Sequence, residues 1–270
     1  MFQTKCIVLD LDGTLLNDEK AISPLNRLAI AACKQKGIQI VIATARPPRS
    51  VRHLLQDEPF DGYVIYYNGA LITNESQGIR HHVCIRTETA VMIAKFLSEH
   101  EPQAIISYEV DDAWYCIDPV PENRCAEFGL RPKDPKPTVV DKSFFDSLSP
   151  TKILILGLQH WEAIRDHFVE DVNVICTDGG ILVQIMDKSV SKEHAVRKVL
   201  EQMDIPPEET MAFGDDFNDI GLFELCGFPV AMGNAINELK TLTKYVTESN
   251  NVDGVAVALQ KLVLSIPKGI

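Results

Sequence analysis

The chain has 270 residues, of which 46% are hydrophobic, and a net charge of −12 at neutral pH. This length suits one large domain or two modest ones around a substantial core. The acidic balance argues against nucleic acid or an anionic membrane surface as the main partner, and seven widely spaced cysteines without a Cys-x-x-Cys pair argue against a disulfide framework or structural zinc.

The N-terminal residues lack the features of a signal peptide, and no apolar run reaches the roughly 18 residues needed to cross a bilayer. We therefore expect a cytoplasmic protein. We also expect it to have no nucleic-acid or membrane partner and to be a monomer or a weak homodimer.

The first eighty residues alternate between apolar strands and amphipathic helices. Residues 6–11 form an apolar run that ends in carboxylates, residues 24–37 have helical spacing behind Ser23 as N-cap, and residues 38–43 form a second apolar run. This order predicts a βαβ unit and a parallel sheet. Beyond it we expect a helix over 49–55, a strand over 63–67, a turn at Asn68-Gly69, and a hairpin of 70–73 with 79–83.

The pattern changes near residue 84, where strands joined by hairpins replace the alternating strands and helices. We predict helices over 87–100 and 161–169, and strands over 105–110, 113–117, 152–158, 172–177 and 181–186. The last two strands would turn at Asp178-Gly179-Gly180, and five prolines predict an irregular segment over 119–137. Such a module is typical of an α+β domain with an antiparallel sheet.

The alternating pattern returns after Ser191, with helices over 193–203 and 220–226 and strands over 210–213 and 229–232. The predicted fold class is therefore α/β, with a discontinuous architecture. Residues 1–83 and 188–270 would form a Rossmann-like core with a parallel sheet, and residues 84–187 an inserted α+β cap with an antiparallel sheet.

Two carboxylates follow the first strand, in the segment Asp10-Leu11-Asp12-Gly13-Thr14. Because side chains alternate along a strand, we expect Asp10 and Asp12 to point the same way at its carboxyl end, where open α/β sheets bind ligands. Two carboxylates so close repel each other unless a cation or a proton lies between them. The alternative is a solvated turn.

Two weaker signals come from a threonine and a lysine. Thr44 directly follows the second strand and can donate a hydrogen bond to an anion, although it can equally cap the next helix. Lys192 stands at the start of a helix, where a positive charge is unfavourable for the dipole. That placement hints at another role, with an ordinary surface lysine as the alternative.

The segment Gly214-Asp215-Asp216-Phe217-Asn218-Asp219 again follows an apolar strand. Its three acids make a poor structural turn because like charges crowd. They make a good site for a hard cation, which prefers oxygen ligands. We therefore favour a metal site over a solvated loop.

Taken together, these four groups resemble the haloacid dehalogenase superfamily of phosphotransferases over nearly the whole chain. The combination of Asp-x-Asp-Gly-Thr with Gly-Asp-Asp-x-Asn-Asp carries the resemblance. The insertion between Thr44 and Lys192 is typical of type IIB caps in the Cof-like branch. Four further segments also resemble that branch: residues 68–70, 190–192, 231–235 and 253–255. Ala45 and Phe217 depart from the branch, which usually has glycine and a small or polar residue there, and both can reshape the pocket.

The resemblance implies a phosphoric monoester hydrolase that acts on a small phosphorylated metabolite. Asp10 would attack phosphorus and become an aspartyl-phosphate, and Asp12 would act as general acid and then general base. Thr44 and Lys192 would hold the phosphoryl oxygens. Mg²⁺ would bind the carboxylates of Asp10 and Asp215 and the backbone carbonyl of Asp12.

Further residues would support the site by the same resemblance. Arg46, Asn68 and Asn218 would bind substrate, and Asn218 with Asp219 would position Lys192 or a water. Mg²⁺ and Lys192 would supply the positive charge that so acidic a site needs to admit a phosphate. The remaining supporting residues belong to the two acidic loops: Gly13, Thr14, Gly214 and Asp216.

Other functions stay open at this point. A phosphomutase or phosphotransferase of sugar phosphates would use the same residues. An inactive metal-binding regulatory protein has no chemical need to keep Asp10, Asp12, Thr44, Lys192 and Asp215. A dinucleotide-binding oxidoreductase is disfavoured, since no Gly-x-Gly-x-x-Gly follows the first strand. Sugar phosphates, flavin mononucleotide and pyridoxal phosphate are all handled in the branch, so the resemblance does not choose among them.

Overall fold

The structure, a computed structural model, describes residues 3–55, 61–130, 135–177 and 180–264. The chain divides into two units, one of residues 1–81 with 191–270 and one of residues 82–190. We call them the core unit and the inserted unit. The boundaries expected from the sequence, after residue 83 and before residue 188, lie two and three residues from these divisions.

Eight α-helices occur within the described ranges. They are α1 (Pro24–Gln35), α2 (Pro48–Leu55), α3 (Thr87–His100), α4 (Trp161–His167), α5 (Lys192–Gln202), α6 (Ile220–Leu225), α7 (Asn237–Leu242) and α8 (Gly254–Leu259). As predicted, Ser23 is the N-cap of α1, and its hydroxyl accepts a hydrogen bond from the N–H of Asn26 at 3.1 Å. In the part of the chain that is described, no helix combines the length and apolar character that a membrane span requires.

The strands form two sheets. In chain order they are β1 (Cys6–Leu9), β2 (Gln39–Ala43), β3 (Tyr63–Tyr66), β4 (Leu71–Asn74), β5 (Ile79–His82), β6 (Ile105–Val110), β7 (Ala113–Cys116), β8 (Thr138–Val139), β9 (Lys152–Leu156), β10 (Val172–Thr177), β11 (Leu182–Asp187), β12 (Thr210–Gly214), β13 (Phe228–Ala231) and β14 (Tyr245–Val246).

The first sheet has the order β14-β13-β12-β1-β2-β3-β4-β5. The strands from β14 to β3 are parallel, and β4 runs antiparallel to β3. All four residues of β1 are buried, as expected for a central parallel strand with both faces covered. The carboxyl ends of β12, β1, β2 and β3 therefore lie side by side at one edge of the sheet.

The second sheet, in the inserted unit, has the order β10-β11-β9-β6-β7-β8. Its pairs are antiparallel except for β7 with β8. Helices α3 and α4 contribute Ile93, Leu97 and Ile164 to one apolar cluster with Tyr108 and Ile153 of the sheet. The two sheets confirm the predicted class, a parallel Rossmann-like sheet with an inserted antiparallel α+β module.

Local differences from the sequence prediction have physical causes. The segment expected to be irregular contains a 3₁₀ helix, Glu122–Phe128, which ends at Gly129 in the left-handed conformation with φ of 75°. Residues 131–134 of that segment, and Asp178 and Gly179 of the predicted hairpin turn, lie outside the described residues. Helices α7 and α8, of six residues each, were not predicted.

Candidate active site

Four loops carry the predicted site residues to the same edge of the core sheet. Asp10 follows β1, Thr44 follows β2, Asn68 lies just after β3, and Asp215 follows β12. Because these four strands are adjacent and parallel, their loops are neighbours, which is the usual position of a ligand site in an open α/β sheet.

Lys192 lies at the centre of this arrangement, as the first residue of α5 behind the N-cap Ser191. Its Nζ donates to Oδ1 of Asp10 at 2.6 Å and to Oδ1 of Asp219 at 2.7 Å. Its side chain is fully buried, and burial alone would lower its pKa. The two carboxylates outweigh that effect and raise the pKa of Lys192, so the lysine is a buried cation. A surface lysine, the ordinary alternative, is excluded.

Asp10, Asp215 and Asp219 form an acidic cluster in which one carboxylate oxygen of each residue lies within 4.8 Å of the other two. Burial raises the pKa of Asp10 well above its usual value, with Asp219 and Asp215 adding to the effect and Lys192 opposing it. Burial and the charge of Asp219 raise the pKa of Asp215 to about 7. Three carboxylates face one ammonium here, so the cluster lacks positive charge. A divalent cation would reverse these shifts by favouring the ionised forms.

The hydrogen bonds separate the roles of these carboxylates. Both oxygens of Asp219 are engaged, Oδ1 by Lys192 and Oδ2 by the N–H of Asp215 at 3.0 Å. Asp219 is therefore a holder of Lys192 and of the loop after β12. Asp10 and Asp215 are the carboxylates with capacity to bind a cation, and hard oxygen donors of this kind suit a divalent ion.

Two glycines permit this close packing. Gly13 has φ of 73°, and a Cβ there would lie 2.0 Å from Oδ2 of Asp215. A Cβ on Gly214 would lie 2.6 Å from the side chain of Asp219. The hydroxyl of Thr14 donates to Oδ1 of Asp215 at 2.9 Å and joins the loop after β1 to the loop after β12. Three of the four residues predicted to support the loops thus contact the acidic cluster or leave room for it.

Asp216 is the fourth supporting residue, and it lies outside the acidic cluster. Its carboxylate accepts from the N–H of Phe217 at 2.8 Å and caps the short 3₁₀ helix Phe217–Asp219. Phe217, one of the departures from the branch pattern, is 49% exposed.

Asp12 has different partners from Asp10. Because β1 ends at Leu9, the strand alternation does not extend to Asp12, and the expectation that the two carboxylates point the same way rested on a strand that is too long. The Asp12 carboxylate accepts from Arg46 at 2.6 and 2.7 Å and from Nζ of Lys20 at 2.8 Å. Partial burial would raise the pKa of Asp12, but Arg46 and then Lys20 bring it down to about 2.

Thr44, Asn68 and Asn218 are linked in a chain of hydrogen bonds. The Thr44 hydroxyl accepts from the N–H of Arg46 at 3.1 Å, and the Thr44 carbonyl accepts from the N–H of Asn68 at 2.9 Å. Asn68 is buried with φ of 55°, and its Oδ1 accepts from Nδ2 of Asn218 at 3.0 Å. Because α2 begins at Pro48, Thr44 is too early in the chain to cap it.

Sequence reasoning missed two contacts of the loop after β1. Lys20 reaches back eight residues to Asp12, and Asn234 donates from Nδ2 to the carbonyl of Gly13 at 2.8 Å. A single lysine in a short loop carries no pattern. Asn234 does lie within residues 231–235, a segment that already resembles the Cof-like branch, and this was the available signal.

Known proteins resemble this chain over nearly its whole length. Residues 7–259 match the haloacid dehalogenase-like hydrolase family. A 5-amino-6-(5-phospho-D-ribitylamino)uracil phosphatase of Bacillus subtilis is 29% identical over 267 residues, which are 96% of this chain and 96% of that protein.

Two solved structures show the same fold. A haloacid dehalogenase-like hydrolase of B. subtilis is 25% identical, with a TM-score of 0.83 over 96% of this chain and 100% of its own. A subclass IIB sugar phosphatase is 22% identical, with a TM-score of 0.84 over 97% of this chain and 100% of its own. The resemblance derived from the motifs is thus confirmed: the chain belongs to the haloacid dehalogenase-like hydrolases and is a phosphoric monoester hydrolase.

Proposed function

We propose that the protein is a Mg²⁺-dependent phosphatase of small phosphorylated metabolites that acts through an aspartyl-phosphate on Asp10. The observation that carries the proposal is the buried Asp10 carboxylate, which is held at one oxygen by Lys192 and lies beside Asp215 and Asp219. A carboxylate with one oxygen anchored has the other available for attack on phosphorus.

In the first step, the second oxygen of Asp10 forms a bond to phosphorus as the bond from phosphorus to the ester oxygen breaks. The leaving oxygen takes a proton from Asp12. Lys192 uses two of its three protons on Asp10 and Asp219, and we assign the third to a phosphoryl oxygen. The Thr44 hydroxyl oxygen accepts from the backbone N–H of Arg46, so the hydroxyl proton can be donated to a phosphoryl oxygen as well.

In the second step, water attacks phosphorus, gives its proton to Asp12, and releases phosphate and the Asp10 carboxylate. The ionised form of Asp12 suits this step. Its ion pairs with Arg46 and Lys20 oppose the first step, because they hold the carboxyl group unprotonated. We infer that Asp12 must part from Arg46 before it donates a proton to the leaving group.

The acidic cluster would hold the cation through Asp10 and Asp215, with the backbone carbonyl of Asp12 as a third protein ligand. The donor set fits: its oxygens are hard, its carboxylates are close together, and its charge is not balanced by Lys192. When bound, Mg²⁺ supplies charge neutralisation for an incoming phosphate dianion. The protein residues supply the nucleophile, the proton transfers and the orientation.

The substrate class rests on the resemblance and on the relatives. We propose sugar phosphates and phosphorylated cofactors such as flavin mononucleotide or pyridoxal phosphate, and we add 5-amino-6-(5-phospho-D-ribitylamino)uracil because a relative is named for it. We assign substrate contacts to Arg46, Asn68 and Asn218, and the choice of substrate to the inserted unit acting as a cap. A cytoplasmic location and a monomeric or weakly dimeric state remain predictions.

The test is phosphate release from these esters and from p-nitrophenyl phosphate, with Mg²⁺ and with excess EDTA. We expect release to require Mg²⁺ and to fall by at least about a thousandfold in Asp10→Asn, which keeps the shape of the side chain but removes the nucleophile. Asp61→Asn, at an exposed position, is the control. Full activity in EDTA would refute the metal requirement.

The two alternatives have distinct outcomes in the same assay. Transfer of phosphate to a sugar phosphate, with no free phosphate, would identify a phosphomutase or phosphotransferase. Mg²⁺ binding with neither reaction would identify a regulatory protein. Trapping of ³²P on the wild type but not on Asp10→Asn would directly support the covalent step.

A further inference from the structure

Two asparagines outside the acidic cluster hold the loop after β1, which we call the nucleophile loop (residues 10–18). Asn234 donates from Nδ2 to the carbonyl of Gly13 at 2.8 Å, and Asn250 donates from Nδ2 to the carbonyl of Leu16 at 3.0 Å. The N–H of Asn250 donates to Oδ1 of Asn234 at 3.0 Å. Both ends of the Asn234 amide are thus engaged, and the two side chains form one brace between residues 13 and 16.

The segment that contains Asn234 also holds the loop after β12. The N–H of Met232 donates to the carbonyl of Gly214 at 3.2 Å, and the N–H of Ile236 donates to the carbonyl of Asp215 at 2.9 Å. Residues 232–236 are therefore bonded to both loops that carry the proposed cation ligands. Together with the bond from Thr14 to Asp215, this segment links the two loops.

The brace acts on the peptide groups next to the site. The Gly13 carbonyl belongs to the planar peptide that leads into Thr14, whose hydroxyl donates to Asp215 at 2.9 Å. On its other side, Gly13 is joined to Asp12, whose carbonyl is a proposed cation ligand. Gly13 is in the left-handed conformation and has no side chain to restrain it. The direction of its carbonyl is set by the Asn234 bond at one side of the peptide and by the bond from the Thr14 N–H to the Leu11 carbonyl, at 3.3 Å, at the other.

We propose that Asn234 and Asn250 are positioning residues that preorganise the nucleophile loop for the divalent cation; this inference rests on the proposed function. A cation that uses a backbone carbonyl binds most tightly when that carbonyl is already in place. Loss of the brace should therefore weaken cation binding more than it weakens binding of the phosphate ester. Asn250 is buried and Asn234 is exposed, so substitutions at Asn234 disturb the core least.

The test compares Asn234→Ala and Asn234→Asp with Asn251→Ala as the matched control. Asn251 reaches the same loop, but its side chain bonds to Asp18: its Oδ1 accepts from the Asp18 N–H at 3.0 Å, and its Nδ2 donates to the Asp18 carboxylate at 2.9 Å. Asn234→Asp keeps an acceptor for Asn250 and removes the donor to Gly13. The added negative charge of Asn234→Asp would by itself strengthen cation binding. Weaker Mg²⁺ binding in this variant can therefore be attributed to the lost positioning of the Gly13 carbonyl and not to the change in charge.

Three quantities are measured: the Kd for Mg²⁺ by calorimetry, kcat and KM for p-nitrophenyl phosphate at saturating Mg²⁺, and the urea unfolding midpoint without Mg²⁺. We expect both Asn234 variants to bind Mg²⁺ about tenfold more weakly, in the range seen for outer partners of metal ligands. Their KM for the ester and their unfolding midpoints should match those of the control.

Wild-type Mg²⁺ affinity in Asn234→Asp, or an equal loss in Asn251→Ala, would overturn the inference and leave the proposed function intact. A lower unfolding midpoint with unchanged Mg²⁺ affinity would also overturn it, because it would show a purely structural role. If the wild type neither binds Mg²⁺ nor hydrolyses any ester, the proposed function itself is wrong and the inference falls with it.

Discussion

At the scale of single residues, the site depends on positions where a side chain is missing. Gly13 must be glycine for two separate reasons, its positive φ and the 2.0 Å approach of Asp215 to the place where a Cβ would stand. Gly37 shares the first property, with φ of 81°, but among the described residues no atom lies within 4 Å of the place where its Cβ would stand. Alanine substitutions at Gly13 and at Gly37 therefore distinguish the effect of backbone strain from the effect of steric exclusion.

Gly13→Ala is predicted to abolish Mg²⁺ binding and phosphatase activity, because the methyl group displaces Asp215. Gly37→Ala should cost only the left-handed strain, roughly 1–2 kcal/mol of unfolding free energy, with activity unchanged. Calorimetry with Mg²⁺ and urea unfolding of both variants make the comparison. Equal behaviour of the two would mean that strain alone explains the requirement for glycine at residue 13.

The pKa of Asp12 predicts a pH dependence of stability. Folding lowers the pKa of the Asp12 carboxyl group from its usual 3.8 to about 2. Such a group stabilises the folded state at any pH above its usual pKa. That stabilisation is lost as the pH falls through the pKa of the folded state. Relative to Asp12→Asn, the wild type should lose about 1 kcal/mol between pH 5 and pH 2, a figure reduced because the Asp12 side chain is 41% exposed. Urea titrations of both proteins at several pH values measure the difference. A constant difference would show that Arg46 and Lys20 do not pair with Asp12 in solution.

At the scale of elements, α5 places one buried cation among three carboxylates. Its N-cap Ser191 accepts from the N–H of His194 at 3.1 Å, so the helix begins at Lys192. The unfavourable position of a positive charge at a helix start is offset by Asp10 and Asp219. Helix initiation and site assembly thus occur at the same residue.

Lys192→Met is predicted to destabilise the protein by about 3–5 kcal/mol at neutral pH, since it leaves two buried carboxylates without a counter-charge. Activity should be lost. Added Mg²⁺ should restore part of the stability but none of the activity. Arg197→Met, on the same helix, removes a largely exposed ion pair with Glu193 at 3.8 Å and should change little. Comparable stability of the two variants in urea would contradict the role given to Lys192.

At the scale of the whole molecule, the core unit joins distant parts of the chain at one sheet edge. Asp10 and Asp215 are about two hundred positions apart, yet Thr14 bonds to Asp215 across 201 positions. A ligand that binds there connects loops from both parts of the core unit, so its binding free energy adds to the stability of the folded state.

Mg²⁺ is therefore predicted to raise the melting temperature without any substrate. At a concentration one hundred times its Kd the gain is about 2.7 kcal/mol. The increase should disappear in Asp215→Asn, which removes a proposed ligand. Differential scanning calorimetry with Mg²⁺ and with EDTA measures it, and an unchanged melting temperature in the wild type would argue against cation binding to the folded protein.

The sequence alone determined the fold class, the order of most elements and the candidates Asp10, Lys192 and Asp215, which the structure brings together. Those features depend on local signals, such as apolar runs, the Ser23 cap and the acids that follow β1 and β12. Only the tertiary structure showed how these side chains are paired. Asp219 accepts from Lys192 and from backbone N–H groups, Asp12 is paired with Arg46 and Lys20, and Asn234 bonds to Gly13. These contacts join residues far apart in the chain, and a single sequence has no periodicity that records a distant partner.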